Sequence, residues 1–294
     1  MQAARPTAPS DDELAARART GNQEAFAALY DRYFPGVFDL AVRVVRNRET
    51  AANVVQMTFA TAWSALRAQG PAESVKASLY TVARDYAIDE LRKSKRGGSR
   101  LPAEAYREGI DFTRVDANRV AETPVLADKE LLEVTWDAAE AQSPEEYSLL
   151  DLHVRRGLKA DDLAVPLGMK AAAVDARLRH LVDGFDDSVR TALLARRGQQ
   201  DSPEVEGLAS RLSDYSIAGV RSAVETDPGE SHDTEETRAP DVSPTEILKS
   251  FAPVPPTPGL HWQIWRGVDP DAEEEDRPVR ARRARRWFPW RRST

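Results

Sequence analysis

The sequence predicts an all-α protein with two helical domains joined by a linker and a largely irregular C-terminal extension. Three observations carry this. Apolar residues recur at three- and four-residue spacing from Phe26 to Val45, from Val55 to Leu66 and from Leu79 to Tyr86, the period of helices that bury one face. Helix punctuation falls at the ends of such stretches, with Ser10 and Ser143 before them and Gly21, Gly97-Gly98 and Gly157 after them. A second periodic set, from Leu131 to Val154, begins only after an aperiodic stretch at 101–128.

Taken in order, residues 1–10 form a loose Pro/Ala arm. Ser10 or Asp11 caps the first helix, and Asp12 and Glu13 sit in its first turn, where the helix dipole favours acids. Gly21-Asn22 breaks it. Phe26, Leu29, Tyr30, Tyr33, Phe34, Val37, Phe38, Ala41, Val42 and Val45 form the next stripe. Pro35-Gly36 is expected to kink or restart that helix, because proline lacks a backbone donor. A turn at Asn47-Arg48 leads to a helix from about Glu49 to Leu66, with Phe59, Ala62 and Trp63 on its apolar face. The loop 68–74 follows, and then a helix from about Ser74 to Lys95. These elements make one domain, 11–100. Residues 101–130 read as a linker.

The second domain spans 131–198. Ser143-Pro-Glu-Glu146 has the cap, the first-turn proline and the first-turn acids of a helix start. In the segment 158–178, Ala164, Gly168, Val174 and Leu178 stand at helix-turn-helix offsets. The small residue lets two helices cross, the glycine makes the turn, and the apolar pair seats the second helix. Pro166 and Asp175 are unusual within that pattern. A last helix is expected to run to Arg197. An extension, 199–268, holds a short helical piece (205–224), a polar stretch (226–244), one or two helical turns at 245–251 and a proline-rich segment at 253–258. The tail, 269–294, is acidic and then basic.

Composition excludes several function classes. Hydrophobic residues make up 41% of the 294, enough for a packed core, but they thin out after Gln199. The net charge of -7 rules out a uniformly basic nucleic-acid binder. Charge is segregated instead, with Arg92, Lys93, Lys95, Arg96 and Arg100 in one block and 277–292 in another. With no cysteine there is no disulfide, thiolate metal site or thiol chemistry. The four histidines are scattered without ligand spacing, so neither metal nor cofactor is expected. No acid-base pair, nucleophile constellation or phosphate loop appears, so an enzyme is not expected. The polar N-terminus lacks the apolar core of a signal peptide. No apolar run reaches the roughly 18 residues of a membrane span. A cytoplasmic location is the expectation.

The stretch DDELAARARTGNQEAFAALYDRYFPGVFDLAVRVVRNRETAANVVQMTFATAWSAL, with SLYTVARDYAIDELRKSKR after it, resembles the extracytoplasmic-function (ECF) RNA polymerase sigma factors of the sigma-70 family. SPEEYSLLDLHVRRGLKADDLAVPLGMKAAAVDARLRHL resembles the upstream promoter reader of the same family. The two motif sets occur in the family's order and cover about two thirds of the chain. The resemblance implies a transcription initiation factor that binds core RNA polymerase and promoter DNA. It makes 11–100 region 2-like and 131–198 region 4-like.

The resemblance also assigns sites. Val54, Val55, Gln56 and Phe59 are carried over as the polymerase-docking set, with core packing as the plain alternative for Val55 and Phe59. The acidic run usual before this motif is Thr50-Ala-Ala-Asn53 here, and Met57 follows Gln56. Loss of such charges slows encounter and weakens pairing. Lys76, Tyr80, Arg84, Arg92, Lys93, Lys95 and Arg96 can line a path for the separated −10 strand, since cations neutralise phosphate and aromatics stack on unpaired bases. Tyr80 is equally readable as core. Lys170, Ala171, Asp175, Arg177, Arg179 and His180 are candidates for the −35 major groove.

The extension is similar to an anti-sigma zinc-binding segment, but without cysteine His232 cannot complete a metal site, so a metal-free remnant is expected. An anti-sigma factor or the chain's own extension is a further expected partner. The Arg/Trp tail has three readings: folding back on the acidic stretch, nucleic acid and, least favoured, a membrane surface. The rival to a working initiation factor is a degenerate sigma-like or helix-turn-helix regulator that does not drive initiation.

Overall fold

The computed structural model describes residues 8–68, 74–96, 109–197 and 242–268, without the side chains of 95, 96 and 197. The expected helical piece at 205–224, the polar stretch up to 241 and the tail 269–294 lie outside the described residues. The architecture is all-α among the described residues, apart from one isolated antiparallel bridge between Val115 and Phe251. Described residues fall into two compact units. One draws on Met1–Asp111, Asp151–Arg177 and Pro253–Thr294, the other on Phe112–Leu150 and Leu178–Ala252. The helices of 131–197 are therefore shared between them.

The first unit is built around α2 (Gln23–Val45). Against it pack α1 (Asp11–Arg19), α3 (Arg48–Ala68) and α4 (Val75–Arg96). Short-range chemistry sets their ends. Ser10 and Glu13 form a reciprocal capping box on α1. The Asn22 side chain caps α2, Asn47 caps α3 through the Thr50 amide, and Ser74 caps α4 through the Ala77 amide. Arg46 closes α2 in the left-handed region at φ 57°.

Of the kink or restart expected at Pro35-Gly36, the restart does not occur, and α2 runs through as one helix. An interior proline costs roughly 3 kcal/mol. Phe34, Val37, Phe38, Leu40 and Ala41 are all buried around it, and each fully buried large apolar side chain contributes about 1.5–3 kcal/mol. Packing therefore outweighs the lost donor. The aromatic core is tight, with Phe26 4.5 Å from Trp63 and Tyr30 edge-on to Phe59 at 4.6 Å.

Further along, α7 (Pro144–Leu150) opens on Ser143 as its cap and widens into a π-turn over Asp151–Arg155. Gly157 takes φ 67° and stops it. The helix-turn-helix segment forms α8 (Ala160–Leu167), a turn at Gly168 with φ 65°, and α9 (Ala171–Arg197). No separate last helix follows, because α9 continues unbroken to Arg197.

In the second unit, α5 (Ala117–Glu122) and a short 3-10 turn lead to α6 (Lys129–Ala141). Trp136 of α6 stacks on Phe112 at 4.6 Å and meets Tyr147 edge-on at 5.8 Å. Phe185, Val189 and Leu193 form a buried stripe on α9. The extension contributes α10 (Pro244–Ser250), capped by Ser243, whose Ile247 and Leu248 are buried. After an extended proline-rich stretch comes α11 (Leu260–Gly267), which the sequence reading did not anticipate.

Candidate polymerase and nucleic-acid interface

On α3, Val54, Val55 and Phe59 are buried, and Phe59 packs on Tyr30. Of the four docking candidates only Gln56 stands half-exposed. Its amide donates a long hydrogen bond, 3.4 Å, to the carbonyl of Gly267 at the end of α11. This contact is one of a series made by residues 253–268 along α2 and α3. The Val254 amide donates to Asp39 at 2.9 Å, and the Arg48 guanidinium to the Pro255 carbonyl at 2.7 Å. The Tyr30 hydroxyl donates to the His261 carbonyl at 2.7 Å, and the His261 imidazole lies 2.9 Å from the Asp31 carboxylate. The ring of Trp265 packs 4.9 Å from Tyr30 and 6.0 Å from Phe26, and Ile264 is buried. Burial holds the Tyr30 hydroxyl strongly protonated, with Asp31 adding to the effect.

The −10 candidates on α4 divide by position along the helix. Near its start Lys76 and Tyr80 are engaged by Arg156. Lys76 donates to the Arg156 carbonyl at 2.5 Å. Tyr80 is buried at 6% exposure, with the Arg156 guanidinium 5.4 Å over its ring and Tyr33 edge-on at 6.1 Å. Burial raises the Tyr80 pKa against the opposing pull of Arg156. Arg84 is paired with Asp85 at 2.7 Å. A cavity of about 200 Å³ lies between Ser74, Ala77 and Ser78 of α4 and Asp161, Asp162, Val165 and Pro166 of α8. Toward its end α4 is open: Arg92 and Lys93 are exposed, with Asp89 and Glu90 as neighbours. The side chains of Lys95 and Arg96 lie outside the described residues.

Beneath this surface is a charge cluster that the sequence reading missed. Asp39 and Arg43 are fully buried on α2, with their groups 2.8 Å apart. Arg155 bridges Asp39 at 2.7 Å and Asp151 at 2.8 Å, while Arg156 reaches Asp151 at 2.9 Å and also pairs with Asp39. Burial alone would raise the Asp39 carboxyl. The guanidinium groups of Arg155, Arg156 and Arg43 outweigh it and hold the carboxyl far below the usual range. Asp151 is lowered in the same way, chiefly by Arg156 and Arg155. A signal did exist. Asp39 and Arg43 sit at i and i+4 and are the only charged residues in the stretch 34–45, which is otherwise apolar, where a solvated charge has no place.

Of the −35 candidates, Lys170, just before α9, and Asp175, Arg177, Arg179 and His180, on it, are exposed, and Ala171 is partly covered. Val174 and Leu178, the predicted seat of the second helix, are buried. Among the described residues no group of side chains could hold a metal ion, and His232 lies outside them. No helix of the described residues is long and apolar enough to cross a membrane.

Residues 29–97, from α2 through α4, match Sigma-70 region 2. Among characterised proteins the chain is similar to the ECF RNA polymerase sigma factor BldN of Streptomyces coelicolor, 29% identical over 58% of this chain and 64% of BldN. It is also similar to the ECF sigma factor SigL of Mycobacterium tuberculosis, 28% identical over 53% of this chain and 83% of SigL, and to SigK of a Mycobacterium species, 26% identical over 55% and 81%. Residues 29–97 thus carry the region 2 match, and the chain is similar to ECF RNA polymerase sigma factors over somewhat more than half its length. The region 2 match is carried by α2, α3 and α4, and the strap of residues 253–268 lies across the first two of these helices.

Proposed function

We propose that this chain is a transcription initiation factor, acting in the cytoplasm, that binds core RNA polymerase and promoter DNA. The observation that carries the reading is the match of region 2 to the α2–α4 bundle, together with relatives that are ECF RNA polymerase sigma factors. The polymerase would be met by the α3 surface around Gln56, with Val54, Val55 and Phe59 holding that surface in place from the core. The separated strand would follow Arg92, Lys93, Lys95 and Arg96, with Lys76, Tyr80 and Arg84 joining once the segment 151–166 moves away. The duplex upstream would meet Lys170, Ala171, Asp175, Arg177, Arg179 and His180. Arginine can pair bidentately with guanine, and an aspartate can only accept from a base amine. The two sigma-like domains would be 11–100 and 131–198, and 199–268 would be a regulatory extension. The work is binding, and the polymerase supplies the chemistry.

The test is reconstituted transcription with core polymerase on genomic fragments. Defined start sites that require both proteins support the reading. Absence of any factor-dependent transcript, with the wild-type chain and with a form whose strap has been opened, excludes it.

A further inference from the structure

We propose that residues 253–268 are a built-in competitor for the polymerase-docking surface of α3, and that the chain must release this strap to bind polymerase. The proposal rests on the docking role given to α3 above. Gln56 is the one candidate of that set that reaches the surface, and its amide already has a partner in the Gly267 carbonyl. The fit there is close. A Cβ built on Gly267 would lie 2.2 Å from the Gln56 Nε2, so a side chain at 267 would have to displace the Gln56 amide from α11.

The strap is shaped as a ligand. His261 and Trp265, one helical turn apart, both meet Tyr30, and His261 also meets Phe34 edge-on at 4.8 Å. Ile264 is buried between them in sequence, while Trp262, on the other side of the helix, is 65% exposed. The extended residues before α11 are tied down by backbone groups, the Val254 amide on Asp39 and the Pro255 carbonyl on Arg48.

The α3 sequence suits this occupant. A helix presents the negative end of its dipole at its C-terminus, and α11 directs that end at Gln56. Acidic neighbours there would repel it. Thr50, Asn53, Gln56 and Met57 carry no charge. The same neutrality lowers electrostatic attraction to an external partner. The surface is thus matched to its own strap and left poorly equipped for fast encounter while the strap is seated.

The strap is also built to leave. It is one short helix and one extended stretch. Among the described residues its side chains meet one carboxylate, that of the exposed Asp31, and Trp265 is half-exposed. Such segments open locally without unfolding the body beneath them. A tethered ligand acts at an effective concentration on the order of millimolar, so even weak intramolecular contacts suppress an outside competitor. A strap that is closed in about 90–99% of molecules lowers apparent affinity by about 10- to 100-fold.

The experiment uses the full chain and core RNA polymerase. The double variant Ile264→Asp, Trp265→Ala leaves Gln56 and the α2–α3 core unchanged, and it should bind core polymerase at least tenfold more tightly than the wild type. A second protein exploits the absence of native cysteine. Gln56→Cys with Gly267→Cys should form a disulfide on oxidation, since the Gly267 Cβ position lies 3.7 Å from the Gln56 Cγ. Equal affinity of the double variant and the wild type, or failure of the disulfide to form, overturns the strap. Lack of polymerase binding by every form, the opened variant included, overturns the docking reading itself and the strap with it.

Discussion

Asp39 has no solvent exposure, yet its carboxylate is matched to three guanidinium groups and one backbone amide. Buried ion clusters contribute little net stability compared with apolar packing, but breaking one leaves uncompensated charge. Asp39 is also where α2, the segment after α7 and the strap meet. Asp39→Asn keeps the shape and removes the charge. Arg155 and Arg156 would then keep Asp151, and Arg43 would face a neutral amide in place of a charge. The expected cost is about 3–5 kcal/mol, read as a lower urea midpoint with an unchanged slope. A loss below about 1 kcal/mol would mean that water or rearrangement satisfies the cluster. The same residue explains why the site was hard to see. Asp and Arg in a sequence usually read as surface, and the apolar residues around Asp39 and Arg43 were the one local sign that these lie under it.

At the scale of elements, the approach of α4 to α2 depends on Gly36. A Cβ there would lie 2.1 Å from the Tyr80 hydroxyl and 3.2 Å from its ring carbon. Two effects compete in Gly36→Ala. Alanine favours a helix interior by about 1 kcal/mol over glycine, while overpacking a filled core costs about 1–3 kcal/mol. Tyr80 is held between Tyr33 and Arg156 and has little room to retreat, so a net loss of about 1–2 kcal/mol is expected. Tyr80→Phe in the same background should recover most of it. No recovery would place the strain elsewhere.

Helix ends were legible in the sequence because caps act over three or four residues: Ser10, Ser143 and Gly157 fall where they were read, while Asn22, read only as breaking the first helix, also caps the second. The unbroken α2 was not legible, because tertiary packing overrides the local cost of Pro35. The strap was not legible as a contact, because Tyr30 and His261 are 231 residues apart. Its helix was within reach, since Leu260, Ile264 and Val268, with His261 and Trp265, keep a four-residue spacing.

For the whole molecule, the first unit carries fully buried carboxylates and the second a half-buried one, with pKa values displaced in opposite directions, so acid should act on the units differently. In the first unit Asp39 and Asp151 are held below the ordinary 3.8. Their stabilising contribution is complete above that value and is lost only as pH falls beneath it. In the second unit burial raises Asp186 to about 6, with Asp183 and Asp187 adding to the rise while the Thr245 amide of α10 and Arg190 oppose it. Folded Asp186 keeps its proton where the unfolded chain has lost one. Its contribution is therefore present at low pH and is lost as pH climbs from about 3.8 to about 6. Between pH 7 and pH 4.5, acidification should strengthen α9 and α10 and leave α2 unchanged through these groups. Hydrogen exchange, corrected for the intrinsic pH dependence of amide rates, should show rising protection in residues 181–197 and 244–250 and a flat profile in 23–45. Asp186→Asn should flatten the first profile, because the amide cannot titrate. If the rise persists in that variant, a different group is responsible. If α2 loses protection already at pH 5, the arginines do not hold Asp39 as low as their geometry requires.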